Sequence, residues 1–184
     1  MSLQRWYWGV VIRVDGAHEL LAEVASLTHD SGVRPQDPRT GHLTIFYAPL
    51  RSRRDAPALA AKIAAIAITQ QPFALELAGF GEFASATRPV AWLGVAKGGD
   101  AIADLRRQLC QCDHDTHPHG FVPHLTLTYG EDPSAYAAIR GELVQLAAAH
   151  RITAHVDSVW IAGFPLNGHP ARDLRYVQQV PFGG

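Results

Sequence analysis

Net charge, cysteines and long apolar runs are all scarce in this chain, and each shortage closes off a class of function. Lys and Arg number 16 against 17 Asp and Glu, a formal net charge of -1. Overall charge therefore gives no basis for wrapping a long nucleic acid, and any polyanion would need a local basic patch. The two cysteines, Cys110 and Cys112, are separated by one residue and cannot supply a disulfide framework. The longest apolar stretches, such as residues 58–68, are interrupted by Lys62 and are too short to span a bilayer. Residues 1–14 lack the apolar core and small-residue cleavage site of a secretory signal. The expectation is a soluble, cytoplasmic chain in a reducing setting, with no membrane contact.

What is present is ordinary in bulk and informative in detail. The chain has 184 residues, 47% of them hydrophobic and 18% charged, enough to bury a core as one domain or two tightly joined lobes. Residues 6–14 read as a strand, followed by a helix over 17–29 with Leu20, Leu21, Val24 and Leu27 at helical spacing. Residues 32–41, with Pro35 and Pro38, are loop-like, and 42–47 form a second strand. Asp55 and Pro57 open an Ala-rich helix to about Thr69. Strands follow at 73–78 and 90–96, then a helix from Asp100 to about Cys110 and a loop over 116–120. Residues 124–129 make a strand, Asp132-Pro133 opens a helix to about His150, and strands over 152–162 and 175–180 close the chain.

Set side by side, the halves repeat. Gly9 precedes His42 by 33 residues, and Gly94 precedes His124 by 30. His42-Leu43-Thr44 matches His124-Leu125-Thr126, and each is followed by a helix start at Asp55 or Asp132. Gly79, in Ala78-Gly79-Phe80, lies 37 residues after His42; Gly163, in Ala162-Gly163-Phe164, lies 39 after His124. Landmarks in one order at matching offsets indicate a duplicated strand–helix–strand–helix–strand unit, with repeats at roughly 5–85 and 88–182. Two copies are too few for a solenoid, so a bilobal α+β domain with pseudo-twofold symmetry is expected.

Along a strand, residues two apart share a face, about 7 Å from each other. His42 and Thr44 therefore share one face, as do His124 and Thr126, and pseudo-symmetry brings the two faces together across a central cleft. Two imidazoles and two hydroxyls suit the hydrolysis of a cyclic phosphodiester. One neutral imidazole takes a proton from water, and the other, protonated, supplies one to the leaving ribose oxygen. The hydroxyls donate to the non-bridging oxygens, where charge builds. A lone H-x-T on a strand is more often structural; two copies at equivalent places in a duplicated unit favour catalysis.

At these residues the sequence resembles the 2H phosphoesterase superfamily, and within it the 2'-5' RNA ligase/RNA cyclic phosphodiesterase (LigT-like) family. The resemblance rests on residues 41–45 (GHLTI) and 121–127 (FVPHLTL), two H-h-T-h motifs (h hydrophobic) about eighty residues apart, and extends through element order over nearly the whole chain. It implies a bilobal fold with antiparallel sheets lining a central cleft and both motifs on that cleft. It also implies metal-independent opening of RNA 2',3'-cyclic phosphates to 2'-phosphates, with reversible 2'-5' joining of RNA ends in some members. Carried over by motif, His42 and His124 are the catalysts, and Thr44 and Thr126 bind the phosphate. No cofactor and no metal enter this scheme, and a monomer acting on RNA ends or nucleotides that carry a cyclic phosphate is expected. One departure stands out: members of this branch often carry an arginine three residues after the second motif threonine, where this chain has Tyr129. A guanidinium there would add a bidentate phosphate contact.

Other groups are candidates for substrate contact. Phe46 shares the His42 face by strict alternation and is a base-stacking candidate, with a core role as the alternative; Tyr47 and Tyr129 then point to the core. Arg51, Arg53 and Arg54 follow the first motif strand and are candidates for an RNA backbone, against a solvated cluster. Arg172 and Arg175 are similar. Cys110, Cys112, His114, His117 and His119 match no zinc spacing and read as a polar loop rather than a metal site. Trp6, Trp8, Trp92 and Trp160 are assigned to the core. His18, His29, His150, His155 and His169 carry no spacing signal. Two rivals remain beside the RNA cyclic phosphodiesterase: a 2H enzyme for small cyclic nucleotides such as ADP-ribose 1'',2''-cyclic phosphate, and a non-catalytic RNA-end-binding module.

Overall fold

A computed structural model describes residues 5–52, 55–112 and 120–183. The strands are β1 (Arg5–Arg13), β2 (Arg34–Pro35), β3 (His42–Ser52), β4 (Phe73–Phe83), β5 (Val90–Lys97), β6 (His124–Tyr129), β7 (Ile152–Val156), β8 (Ser158–Pro165) and β9 (Arg175–Pro181). The helices are α1 (His18–Leu27), α2 (Ala56–Ala67), α3 (Gly99–Cys112), α4 (Pro133–Ala149) and the short α5 (Pro170–Asp173). Two differences from the sequence-based expectation concern the end of the chain. The strand expected over 152–162 is broken at Asp157 into β7 and β8, and α5 is an added element. Pro170 at its first position and the His169 ring nitrogen, accepting from the Ala171 N–H at 3.1 Å, start that single turn.

All pairings are antiparallel, and the sheet order is β7-β4-β5-β6-β3-β1-β8-β9, with β2 beside β6. The order runs outward from the central β3/β6 pair in the same way on both sides: β1, β8 and β9 one way, β5, β4 and β7 the other. Each sequence half thus gives its third long strand to the opposite side, since β4 lies beside β5 and β8 beside β1. The two sides join through one backbone pairing, Leu43 with Leu125.

One face of this curled sheet carries the core. Leu20, Leu21 and Val24 of α1, Leu59 and Ile63 of α2, Ile102, Leu105 and Leu109 of α3, and Leu143 and Ala147 of α4 recur at helical spacing and are all buried. They pack on Ile12, Leu43, Ile45, Leu75, Leu77, Leu93, Leu125 and Leu127 of the strands. Asp132 starts α4 by accepting from the backbone N–H groups of Ser134 and Ala135 at 2.8 and 3.2 Å, the cap its sequence position predicts. With the helices gathered on that face, the motif side chains of alternate parity emerge on the other.

Candidate active site

β3 and β6 lie side by side in the middle of the sheet, and their register sets the site. With Leu43 opposite Leu125, His42 falls across from Thr126 and Thr44 across from His124. Facing side chains of such a pair stand about 5 Å apart at Cβ. His42, Thr44, His124 and Thr126 all line one pocket, together with Tyr7, Trp8, Val11, Phe164 and Leu174. Among its described lining residues none is Asp, Glu, Lys or Arg.

Each imidazole is tethered in the same way. His42 Nδ1 lies 2.6 Å from the Thr40 carbonyl oxygen, and His124 Nδ1 lies 2.7 Å from that of Val122. A carbonyl only accepts, so each Nδ1 carries the hydrogen and each neutral ring keeps its lone pair on Nε2. The two rings differ in their surroundings. His42 is buried, at 8% exposure, and burial pushes its pKa below the usual imidazole range; the Thr40 carbonyl opposes that shift and the nearby His124 adds to it. His124 is half-buried, with the Phe83 ring edge-on at 5.0 Å and the Trp92 ring at 5.8 Å.

Strict alternation fails just beyond each threonine, and this corrects the reading of the aromatic residues. Opposite β1, Val10 pairs with Phe46 and Val11 with Thr44, so Ile45 is an extra residue, a β-bulge. Opposite β5, Ala91 pairs with Thr128 and Trp92 with Thr126, so Leu127 is the extra residue. Both bulges reset the pleat. Phe46 and Thr128 are fully buried, and Tyr47 and Tyr129 line the pocket instead. Phe46 is a core residue and not a stacking surface. The signal was in the sequence: the repeat extends from H-x-T to H-x-T-x-x-Y in both copies.

Tyr129 is held in place. Its hydroxyl donates to Gln36 Oε1 at 3.4 Å, and its ring meets the His169 ring edge-on at 4.8 Å. Burial, the largest influence, and the neighbouring Tyr47 raise its pKa, while a hydrogen bond with Thr126 works the other way; the phenol stays neutral. His169, which carries no spacing signal, thus borders the site through Tyr129.

The tryptophans divide. Trp6 and Trp8 are buried and stacked at 5.5 Å, and Trp8 also edges the pocket. Trp92 and Trp160 are only half-buried: Trp92 backs His124, and Trp160 packs edge-on to Tyr176 at 5.6 Å. The core assignment therefore fails for Trp92, while Trp160 packs at the edge of a small cluster of Val11, Ala162 and Leu174. Arg172 and Arg175 are exposed, with Arg172 paired to Asp173 at 3.2 Å. The Arg51 side chain, Arg53 and Arg54, and the loop with His114, His117 and His119 lie outside the described residues. Among the described residues, no cluster of three or more His, Cys, Asp or Glu side chains is arranged to hold a metal ion. Nor is any described helix long and apolar enough to cross a membrane.

Comparison with known proteins bears on the fold. Among solved structures, TT0787 of Thermus thermophilus superposes with a TM-score of 0.70 at 17% identity, covering 97% of this chain and 98% of that one. LigT of E. coli in apo form gives 0.69 at 16% identity, covering 97% and 98%. LigT complexed with 3'-AMP gives 0.64 at 15% identity, covering 97% and 99%. At these identities the likeness is one of fold. No curated protein sequence matches the chain significantly. The sequence profile of the 2'-5' RNA ligase superfamily matches residues 17–163. Both histidine motifs fall within that match, and the chain belongs to the 2'-5' RNA ligase superfamily, with a LigT-like 2H phosphoesterase fold.

Proposed function

We propose that the chain hydrolyses 2',3'-cyclic phosphate ends of RNA to 2'-phosphates by two-histidine acid–base catalysis, without a metal. The observation that carries this reading is the matched pair of imidazoles on one pocket, each tethered through Nδ1 so that the neutral ring has its lone pair on Nε2. His42, buried and held neutral, is the general base that takes a proton from the attacking water. His124, the more exposed ring, is the acid that protonates the departing 3'-oxygen. That assignment gives a 2'-phosphate and fixes the ribose with its 3'-oxygen toward His124. Thr44 and Thr126 donate to the non-bridging oxygens as charge accumulates on them. Tyr47 adds a hydroxyl donor in the region where a guanidinium would otherwise serve, while the Tyr129 O–H is given to Gln36. The nucleotide complex of the similarly folded LigT, with 3'-AMP, supports a nucleotide-sized substrate. The same geometry, with a ribose 5'-hydroxyl in place of water as the attacking group, breaks the same bond from phosphorus to the 3'-oxygen and gives 2'-5' joining, His42 taking the hydroxyl proton and His124 protonating the 3'-oxygen.

The test is turnover of a cyclic-phosphate-ended oligonucleotide in EDTA, with end analysis of the product. His42→Ala and His124→Ala should each lower kcat by about 10²–10⁴-fold with the fold intact by circular dichroism. Near-native turnover by either variant overturns the pair. If the native chain binds these ends and cleaves none of them, it is a binding module instead.

A further inference from the structure

The loop between α1 and β3 contains one polar side chain with no exposure at all, Gln36 at 0%. Its contacts connect the two motifs. Its backbone N–H donates to the Leu127 carbonyl of β6 at 2.9 Å. Its Nε2 donates to Thr40 Oγ1 at 2.7 Å and to the Thr40 carbonyl at 3.3 Å. Its Oε1 accepts from the Tyr129 hydroxyl at 3.4 Å. The amide orientation follows from these partners, since a carbonyl cannot donate and Nε2 must face Thr40. The Thr40 carbonyl is the same oxygen that holds His42 Nδ1 at 2.6 Å. A run of hydrogen bonds thus leads from Tyr129 on one motif strand, through Gln36 and Thr40, to the imidazole on the other.

We infer that Gln36 is a positioning residue that keeps His42 in its Nδ1–H tautomer, and so keeps the Nε2 lone pair aimed into the pocket. Free neutral imidazole side chains favour the opposite tautomer, with hydrogen on Nε2, so the less favoured form must be held by a fixed acceptor at Nδ1. That acceptor belongs to Thr40, the last residue of a three-residue 3-10 turn over Pro38–Thr40. A turn this short has no helix or ladder to fix its carbonyl. Gln36 Nε2 reaches that carbonyl at 3.3 Å from a backbone anchored on β6, beside the turn's own bond from the Thr40 hydroxyl to the Asp37 carbonyl at 3.2 Å. The partner of His124 is set differently: Val122 is exposed at 39%, whereas Gln36 and Thr40 are buried. The base is therefore the more firmly built of the two rings. A wrong tautomer places hydrogen where the base needs a lone pair, and it costs rate without costing binding.

This inference rests on the proposed role of His42 as base, and its test separates the two. Nitrogen-15 NMR of the histidine rings should show neutral His42 as Nδ1–H in the native chain. Gln36→Met and Thr40→Val should each move it toward the Nε2–H form. On a cyclic-phosphate oligonucleotide both variants should lose about tenfold or more in kcat with KM within about twofold. Thr40→Ser, which restores the acceptor hydroxyl, should return both readouts to near-native values. If Gln36→Met does not fold, the Thr40→Val and Thr40→Ser pair decides. Native tautomer populations in the folded variants, or a Thr40→Ser protein as impaired as Thr40→Val, overturn the inference. A native chain that cleaves no cyclic phosphate defeats the proposed function, while the tautomer measurement still judges Gln36.

Discussion

Tyr47 and Tyr129 occupy equivalent positions, each three residues past its motif threonine and each turned into the pocket by a one-residue bulge. They put two neutral phenols beside the two imidazoles and two hydroxyls. A donor to a charged phosphate oxygen is worth about 1.5–3 kcal/mol. Tyr47→Phe should therefore lower kcat/KM by about tenfold or more on the same cyclic-phosphate substrate, and Tyr129→Phe, which removes the donor to Gln36, should lower kcat through the His42 network instead. Unchanged kinetics in both variants would assign the phenols to packing alone.

Most of the fold was legible because periodicity and punctuation are strong in this chain. The helix faces through Leu20, Leu21 and Val24 and through Leu59 and Ile63 follow from spacing, and β6 begins and ends where its motif does. The histidines and threonines were legible for the same reason, since they lie before the bulges, where alternation holds. Beyond Thr44 and Thr126 alternation fails. A bulge is decided by pairing with a neighbouring strand, which a single strand's sequence does not display; that is why Phe46 and Tyr47 exchange their expected faces. Gln36 was hidden for a related reason: its partners Tyr129 and Leu127 are about ninety residues away along the chain.

The lowered pKa of His42 fixes the shape of the pH response. In its proposed role as base, His42 must be neutral, so kcat/KM should rise with pH and level off below the ordinary imidazole value of 6.5. The opposite limb belongs to the acid. Stability follows the same group: its folded pKa lies below its unfolded one, so its contribution is intact above about 6.5 and is lost as pH falls from there toward the folded value. Urea midpoints measured in that window should fall as the pH is lowered in the native chain, and less so in His42→Ala.

Gly81 leaves room for the ring behind His124. A Cβ at this position would overlap the six-membered ring of Trp92, which packs against His124 at 5.8 Å. Gly81→Ala should therefore displace Trp92, cost about 1–3 kcal/mol of stability, and lower kcat. Trp92→Phe in the same background, with a smaller ring, should restore part of the stability. Equal melting temperatures for native and Gly81→Ala chains would contradict the overlap.

Asp132→Ala provides a control far from the chemistry. Losing the two cap hydrogen bonds at the start of α4 should cost about 1 kcal/mol in urea unfolding and leave kcat/KM unchanged. A drop in activity at native stability would mean that α4 reaches the pocket by a route its contacts do not show.

The crossed placement of β4 and β8 bears on how the chain can be divided. The exposed turn at 84–88 separates the sequence halves and is the obvious place to cut. A cut there would free two pieces, each missing the strand that lies in the middle of one side of its sheet, because β4 sits between β5 and β7, and β8 between β1 and β9. Each fragment would keep only separate strand pairs, β1 with β3 in one and β5 with β6 and β8 with β9 in the other, yet together they would interlock. The molecule is therefore suited to complementation: two inert pieces whose meeting rebuilds the sheet and the proposed catalytic pair at once, so that recovered turnover reports their encounter.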